Sequence, residues 1–457
     1  MTQPADGAGT ELELLADADR RARRWTEGIG SPGRAVFPAE DALATLRRRV
    51  DEPLSDRGHA PADTLAMLDE VVGAGVVASN DPRYFGFVVG STLPVAAAAE
   101  RLVLAWDQCA PAFDNSPAAH VVEKQAGRWA LEALDLPRSA AVGFTTSSGS
   151  GAVVALTAAR RDLLARQGWD VDRRGLIGTP HIRVVMSELA HVAIVRAVRV
   201  LGFGLDTVER IPVDEHGRVR TESVPPLDER TILILQAGEV NTGEFDPFAD
   251  VLPVARAAGA WVHIDGAFGL WARASRSHRY LTDAVDLADS WTTDGHKWLN
   301  TPYDAAMLIL RDAQALSSTM NSDTAYLSGD EDAQKNLTLE LSRRARGISV
   351  WAALRTLGSA GVEDLVDRCI SLAQYAAEGL RAGGFTVLNR VVLNQVLVRA
   401  DTPEQTIAVR EHAATAAART NGCSTPPTTA SDQPETWTAT AERRSSSEAR
   451  RGSASWA

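Results

Sequence analysis

The chain has 457 residues, 45% hydrophobic and 23% charged, with a formal net charge of -12. These are the proportions of an ordinary globular protein with length for a large core and more than one domain. The acidic balance argues against a nucleic-acid binder. No window approaches the ~20 uninterrupted apolar residues of a membrane helix, and the opening MTQPADGAGTELELLADADRRARR has no apolar secretory stretch, so a cytoplasmic protein with no membrane partner is expected. Cys109, Cys369 and Cys423 are too few and too scattered for a disulfide framework or a cysteine zinc site, and no metal is expected.

Residues 41–50 and 63–77 show helical spacing within a run of acidic, Arg-rich and Ala/Leu-rich pieces, and read as surface helices. From Tyr84 onward, short apolar runs alternate with Gly-rich turns and longer amphipathic segments. Residues 183–186, 231–236, 260–264 and 305–310 read as strands, and residues 151–166 and 248–258 are long enough for crossover helices. Strands alternating with helices imply an α/β fold with a mostly parallel sheet covered on both faces. Residues 361–381 carry one apolar stripe from Val362 to Leu380, ended by Gly383-Gly384. The runs 385–388 and 391–398 then read as strands of a smaller second domain. From 411 to 457 there is no Val, Ile, Leu, Met, Phe or Tyr, a composition that cannot offset its ordering entropy, so a disordered tail is expected.

Three segments carry chemistry. Gly143-Phe144-Thr145-Thr146-Ser147-Ser148-Gly149-Ser150-Gly151 precedes a helical pattern, and hydroxyls and N–H groups at the positive end of a helix suit a phosphate. Its plain alternative is a loop with an N-capping serine. In Trp261-Val262-His263-Ile264-Asp265-Gly266-Ala267 a carboxylate leaves an apolar strand, where α/β sheets place ligands; the alternative is a turn-capping aspartate. In Ser290-Trp291-Thr292-Thr293-Asp294-Gly295-His296-Lys297-Trp298-Leu299-Asn300 a lysine sits beside a histidine among aromatic and apolar neighbours, a setting that suits a nucleophilic amine; the plain alternative is a solvated lysine, and the segment gains weight only beside the other two. An anion cradle, an acid and a lysine together are what pyridoxal 5'-phosphate requires.

With SELAHVAIVRAVRVLGFG, QAGEVNTGEFDPF, AWVHIDGAFGLWA, ADSWTTDGHKWLNTPYD and SRRARG in this order, the sequence resembles the group II pyridoxal-dependent decarboxylases, from about Asn80 to about Val398. That family includes aromatic amino acid and glutamate decarboxylases. The resemblance implies a fold-type-I pyridoxal-phosphate enzyme that decarboxylates an L-amino acid to an amine. It also implies a homodimer with active sites at the interface. The implied organisation is an N-terminal helical segment to residue 79, a large domain over 80–345, and a small, incomplete C-terminal α/β domain over 346–410.

The resemblance also implies roles. Lys297 matches the lysine that bonds the cofactor aldehyde, and Asp265 the acid that keeps the pyridine nitrogen protonated. Ala267 lies against one ring face, and His191 matches the histidine on the other; by itself His191 reads as a helix-surface residue. His296, Ser148 and Gly149 match positions around the phosphate, and Phe87 and Gly90 fall where the substrate-side loop begins. Two departures stand out. Glu239 replaces a Thr or Asn near the cofactor, and residues 328–340 lack the tyrosine that returns a proton in aromatic amino acid decarboxylases, leaving Tyr326 as the only one nearby. The alternatives are another pyridoxal reaction, such as carbon–carbon cleavage or oxidative decarboxylation, or an inactive truncated relative.

Overall fold

The computed structural model describes residues 7–31, 33–321 and 332–410. Tyr326 and the expected tail over 411–457 lie outside the described residues. The described residues form two compact units: those up to Phe85 together with 399–410, and Gly86–Val398.

The first unit holds helices α1 (Gly7–Gly28), α2 (Glu40–Val50) and α3 (Pro61–Met67). Glu40 and Asp41 in the first turn of α2 and Arg47, Arg48 and Arg49 in its last turn complement the helix dipole. The helix expected over 63–77 changes pitch: α3 runs into a π turn (Leu68–Val72) and then a 3₁₀ turn (Gly73–Gly75). Gly75 permits this close approach, because a Cβ there would lie 2.6 Å from Leu46 Cδ2 on α2.

The second unit is built on a seven-stranded sheet of β1 (Ala141–Thr145), β2 (Arg183–Ser187), β3 (Glu209–Ile211), β4 (Thr231–Gln236), β5 (Trp261–Asp265), β6 (Ser290–Asp294) and β7 (Ala306–Leu310), in the order β1-β7-β6-β5-β4-β2-β3. Strand β7 is antiparallel to both neighbours, and the other pairs are parallel. Every residue of β4 (TILILQ) and β7 (AMLIL) is buried, as expected of strands covered on both faces.

The helices of this unit are α4 (Pro94–Trp106), α5 (Pro117–Ala133), α6 (Ser148–Arg166), the short α7 (Val171–Arg174), α8 (Val192–Val200), α9 (Phe248–Ala257), α10 (Ala313–Met320) and α11 (Gly347–Ala382). Ala152, Ala155 and Ala159 of α6 and Ile194 and Val198 of α8 join Ile232, Ile234, Leu308 and Leu310 in one core layer. Small residues on α6 let it lie close on the sheet: a Cβ on Gly151 would sit 3.0 Å from Thr292 Cγ2. The other layer gathers Ala126 and Ala130 of α5, Val251 and Leu252 of α9, and Val350, Ala353 and Val362 of α11 around Val262, Ile264 and Ile309.

Glu123 on α5 pairs through both oxygens with Arg343, at 2.7 and 2.9 Å, and also accepts from the Gly347 N–H at 2.9 Å. Both side chains are buried, so α5 and the start of α11 are fixed by a bidentate charge-assisted bond. The helix expected over 361–381 is the second limb of α11, beyond a break at Gly358 (φ 61°).

The run 385–388 holds a short strand, but 391–398 is not the strand expected. Only β8 (Thr386–Val387) and β9 (Val398–Arg399) form a ladder. Asn389 takes the place of a partner strand: its Nδ2 donates to the Gln395 carbonyl at 2.7 Å, and its Oδ1 accepts from the Leu397 N–H at 2.9 Å. Val391 adopts φ 50°, a left-handed turn that no β run tolerates.

Candidate active site

Strands β1, β2, β5 and β6 end at the same edge of the sheet, and each is followed by residues singled out in the sequence. The carboxyl edge of an open α/β sheet is where such folds place ligands.

After β1 the chain turns into α6 through a capping box. Ser147 Oγ accepts from the Ser150 N–H at 3.2 Å, and Ser150 Oγ accepts from the Ser147 N–H at 3.1 Å. Ser148 and Gly149 therefore open the first turn of α6, at the positive end of its dipole. A Cβ on Gly149 would meet Ala193 at an ordinary 3.4 Å.

The end of β6 faces this turn. Asp294 Oδ1 accepts from the Ser148 N–H at 2.8 Å and its Oδ2 from Ser148 Oγ at 3.1 Å. The Lys297 ammonium lies 3.2 Å from the same Oδ2 and 5.7 Å from the Phe268 ring centroid. His296 packs on Tyr303 with ring centroids 4.5 Å apart, and its Nδ1 accepts from the Ala305 N–H at 3.2 Å. That bond leaves the Nε2 proton facing Asp294, 3.7 Å from Oδ2. Burial pushes the imidazole pKa down against the pull of Asp294, which keeps the ring neutral.

Asp265 ends β5, opposite Gln236 on one side and Thr292 on the other. Among the described residues its carboxylate has one hydrogen bond to the chain, a long one from the Ala267 N–H at 3.3 Å. Burial pushes its pKa up, and the nearby Lys297 is among the groups that oppose that rise. His191 caps α8 after β2. Its Nδ1 accepts from the Ala193 N–H at 3.2 Å, which orients the ring and leaves the proton on Nε2.

The loop expected to begin the substrate side is fastened to the lysine turn. A Cβ on Gly90 would lie 2.1 Å from the Lys297 carbonyl oxygen, so only glycine allows this approach. Asn300 donates from Nδ2 to the Ser91 carbonyl at 3.2 Å, and its own carbonyl accepts from the Leu93 N–H at 2.8 Å. Phe87, in the same loop, has φ 59° and its side chain is 80% exposed. Glu239 is buried in its own turn, accepting from the Asn241 and Thr242 N–H groups at 2.8 Å and from Asn241 Nδ2 at 2.9 Å. The added carboxylate is thereby satisfied within residues 239–242.

Sequence reasoning missed two site residues. Asp294 was given no role of its own, although its place three residues before Lys297 at the end of a strand was a usable signal. Asn300 gave none, because its role rests on a left-handed φ of 52°.

The residues fit pyridoxal phosphate. A buried acid with one weak donor suits a protonated ring nitrogen, the Ser148 turn suits an anion, and Lys297 offers a primary amine to an aldehyde. Fold and site together define a pyridoxal-phosphate enzyme of the fold-type-I kind. Residues 44–400 match the pyridoxal-dependent decarboxylase conserved domain, and the chain belongs to that family.

The chain is 28% identical to the aromatic-L-amino-acid decarboxylase of Bacillus atrophaeus over 72% of its own length and 69% of the relative's. It is also 28% identical to the L-2,4-diaminobutyrate decarboxylase of Rhizobium meliloti, over 74% and 68%. Its fold superposes on Oryza sativa TDC with PLP and tryptamine with a TM-score of 0.78, at 22% identity and over 89% and 88% of the two chains. Mouse CSAD in apo form gives 0.79, at 22% identity and over 88% and 89%. The protein is a pyridoxal phosphate-dependent amino acid decarboxylase. No helix among the described residues is long and apolar enough to cross a membrane.

Proposed function

We propose that Lys297 is the amine that bonds the cofactor aldehyde, that Asp265 holds the ring nitrogen protonated, and that Ala267 and His191 flank the ring. Ser148, Gly149 and His296 hold the phosphate, and Phe87 and Gly90 begin the loop on the substrate side. The observation that carries this reading is the meeting of these residues at one sheet edge: Asp265 ends β5 beside β6, and Asp294 at the end of β6 accepts from the Ser148 N–H at 2.8 Å and pairs with Lys297 at 3.2 Å.

When bound, the cofactor supplies an electron sink for the pair left behind as carbon dioxide departs. The chain's own residues do the rest. Asp265 sits where burial alone would neutralise it, so a cationic partner keeps it ionised and it in turn holds that partner's proton. His191, fixed by its cap bond, keeps its Nε2 proton directed away from α8, where it can donate to a substrate carboxylate. Gly90 and Asn300 hold the substrate-side loop over the backbone of Lys297 and keep the amine in place.

The enzyme works as a cytoplasmic homodimer, divided into a helical segment to residue 79, a large domain over 80–345 and a small one over 346–410. Helix α4 supports the dimer: Ala96 and Val103 are buried while Leu102 and Trp106, one turn apart on the same face, are more than half exposed, an apolar patch suited to a second copy. The relatives' names cover aromatic, diaminobutyrate and cysteine sulfinic acid substrates. The deciding experiment loads the full chain with pyridoxal phosphate and measures carbon dioxide and amine from a panel spanning those classes. Equal yields of both from one class are expected. An aldehyde in place of the amine, or no product from any class, rejects the reading.

A further inference from the structure

The phosphate turn already holds an anion that belongs to the chain. The side chain of Asp294 is 3% exposed, and its two oxygens engage the Ser148 N–H, Ser148 Oγ and the Lys297 ammonium, with His296 Nε2 at 3.7 Å. A phosphate seated at the start of α6 would draw on the same two Ser148 donors. One N–H and one O–H cannot serve two anions fully, and a carboxylate and a phosphate on one pair of donors also repel.

We infer that Asp294 is an internal competitor for the cofactor's phosphate: it holds Ser148 and Lys297 in place before the cofactor arrives, and it sets how tightly the cofactor is taken up. The inference rests on the reading that the Ser148 turn is the phosphate site. Asp294 is then a positioning residue, acting through Ser148 and Lys297. Being tethered, it meets these donors at a high effective concentration, and the phosphate must displace it. Asp294→Asn keeps an oxygen for the Ser148 N–H and removes the charge. The competition then weakens, while Lys297 and His296 remain to attract a phosphate.

The test strips the full-length protein of cofactor and titrates wild type, Asp294→Asn and Asp294→Ser with pyridoxal phosphate and with pyridoxal, followed by cofactor absorbance. Thermal unfolding with inorganic phosphate runs in parallel. Either variant is expected to bind pyridoxal phosphate about tenfold more tightly than wild type, a gain on the scale of one removed charge contact. Pyridoxal should show no such gain, and inorganic phosphate should raise the unfolding temperature of the variant more than that of wild type. A purely structural aspartate would weaken binding when replaced. Unchanged or weaker affinity in both variants, with wild type still binding, overturns the inference and leaves the phosphate site standing. An equal gain for pyridoxal moves the effect to Lys297 alone and overturns it too. Failure of wild type itself to bind pyridoxal phosphate rejects the site along with the inference.

Discussion

Two aspartates stand at the ends of adjacent parallel strands and have opposite surroundings. Asp294, ending β6, has its two oxygens engaged by Ser148 and Lys297. Asp265, ending β5, has one bond of 3.3 Å from Ala267 and is pushed toward its neutral form by burial. The first carboxylate is committed within the chain, and the second is kept short of donors. A carboxylate with a single weak donor among the described residues is the one ready to take a proton-bearing ligand, so environment assigns different tasks to the same residue type.

The strongest way to break this contrast is at Lys297, which pairs with Asp294 and acts on Asp265 through space. Lys297→Ala is expected to lower turnover by on the order of a thousandfold or more and to abolish covalent retention of cofactor after borohydride reduction, read by mass spectrometry. A reduced adduct found on another residue would move the amine and undo the assignment.

At Asp265 the loss should be confined to chemistry. Asp265→Asn keeps the shape but cannot hold a ring proton by charge, and turnover should fall by about a hundredfold to a thousandfold. Cofactor affinity should change far less. If affinity and turnover fall together, Asp265 acts as a general anchor and the contrast with Asp294 disappears. A smaller loss, about tenfold to a hundredfold in kcat/KM, is expected for His191→Ala, because the ring it removes orients rather than reacts. A normal KM with unchanged kcat in that variant would place His191 outside the site.

The sequence exposed the two strand-end motifs because each combined an apolar run with an abrupt polar stop. It hid the strands that carry polar residues inward. Strand β6 reads SWTTD, yet all five residues are buried, since Thr292 and Ser290 face the small residues of α6 and the buried His263. Strand β1 is short and holds Gly143, where a Cβ would lie 2.6 Å from the Leu337 carbonyl oxygen. The opposite error fell at 391–398, where hydrophobicity suggested a strand but the amide of Asn389 supplies the hydrogen bonds that a ladder would have made. Apolar patterning reports burial; it does not report whether a neighbouring strand or a side chain satisfies the backbone.

The smallest expected effect tests how the floor beneath Asp265 is built. His263, two residues earlier on the same face of β5, is fully buried. Trp261 Nε1 donates to Ser290 Oγ at 3.1 Å, which leaves that hydroxyl to donate to His263 Nδ1 at 2.9 Å. His263 is thus a neutral ring with its proton on Nε2, and burial pushes its pKa down from 6.5 to about 3. A base whose folded pKa is depressed takes up its proton on unfolding. Its contribution is fully present above about pH 6.5 and is lost as pH falls toward 3, by about 1.4 kcal/mol per unit. Asp246, buried and raised from 3.8 to about 7, has the opposite slope between about pH 4 and 7, so the wild-type curve conceals both groups where the two windows overlap. The difference between His263→Gln and wild type exposes one. In urea unfolding at pH 7 the variant should be less stable, and its deficit should shrink by about 1.4 kcal/mol for each unit from about pH 6.5 down to pH 4. A deficit that stays constant over that range would mean that His263 is protonated in the folded protein, and that the floor under Asp265 is charged rather than neutral.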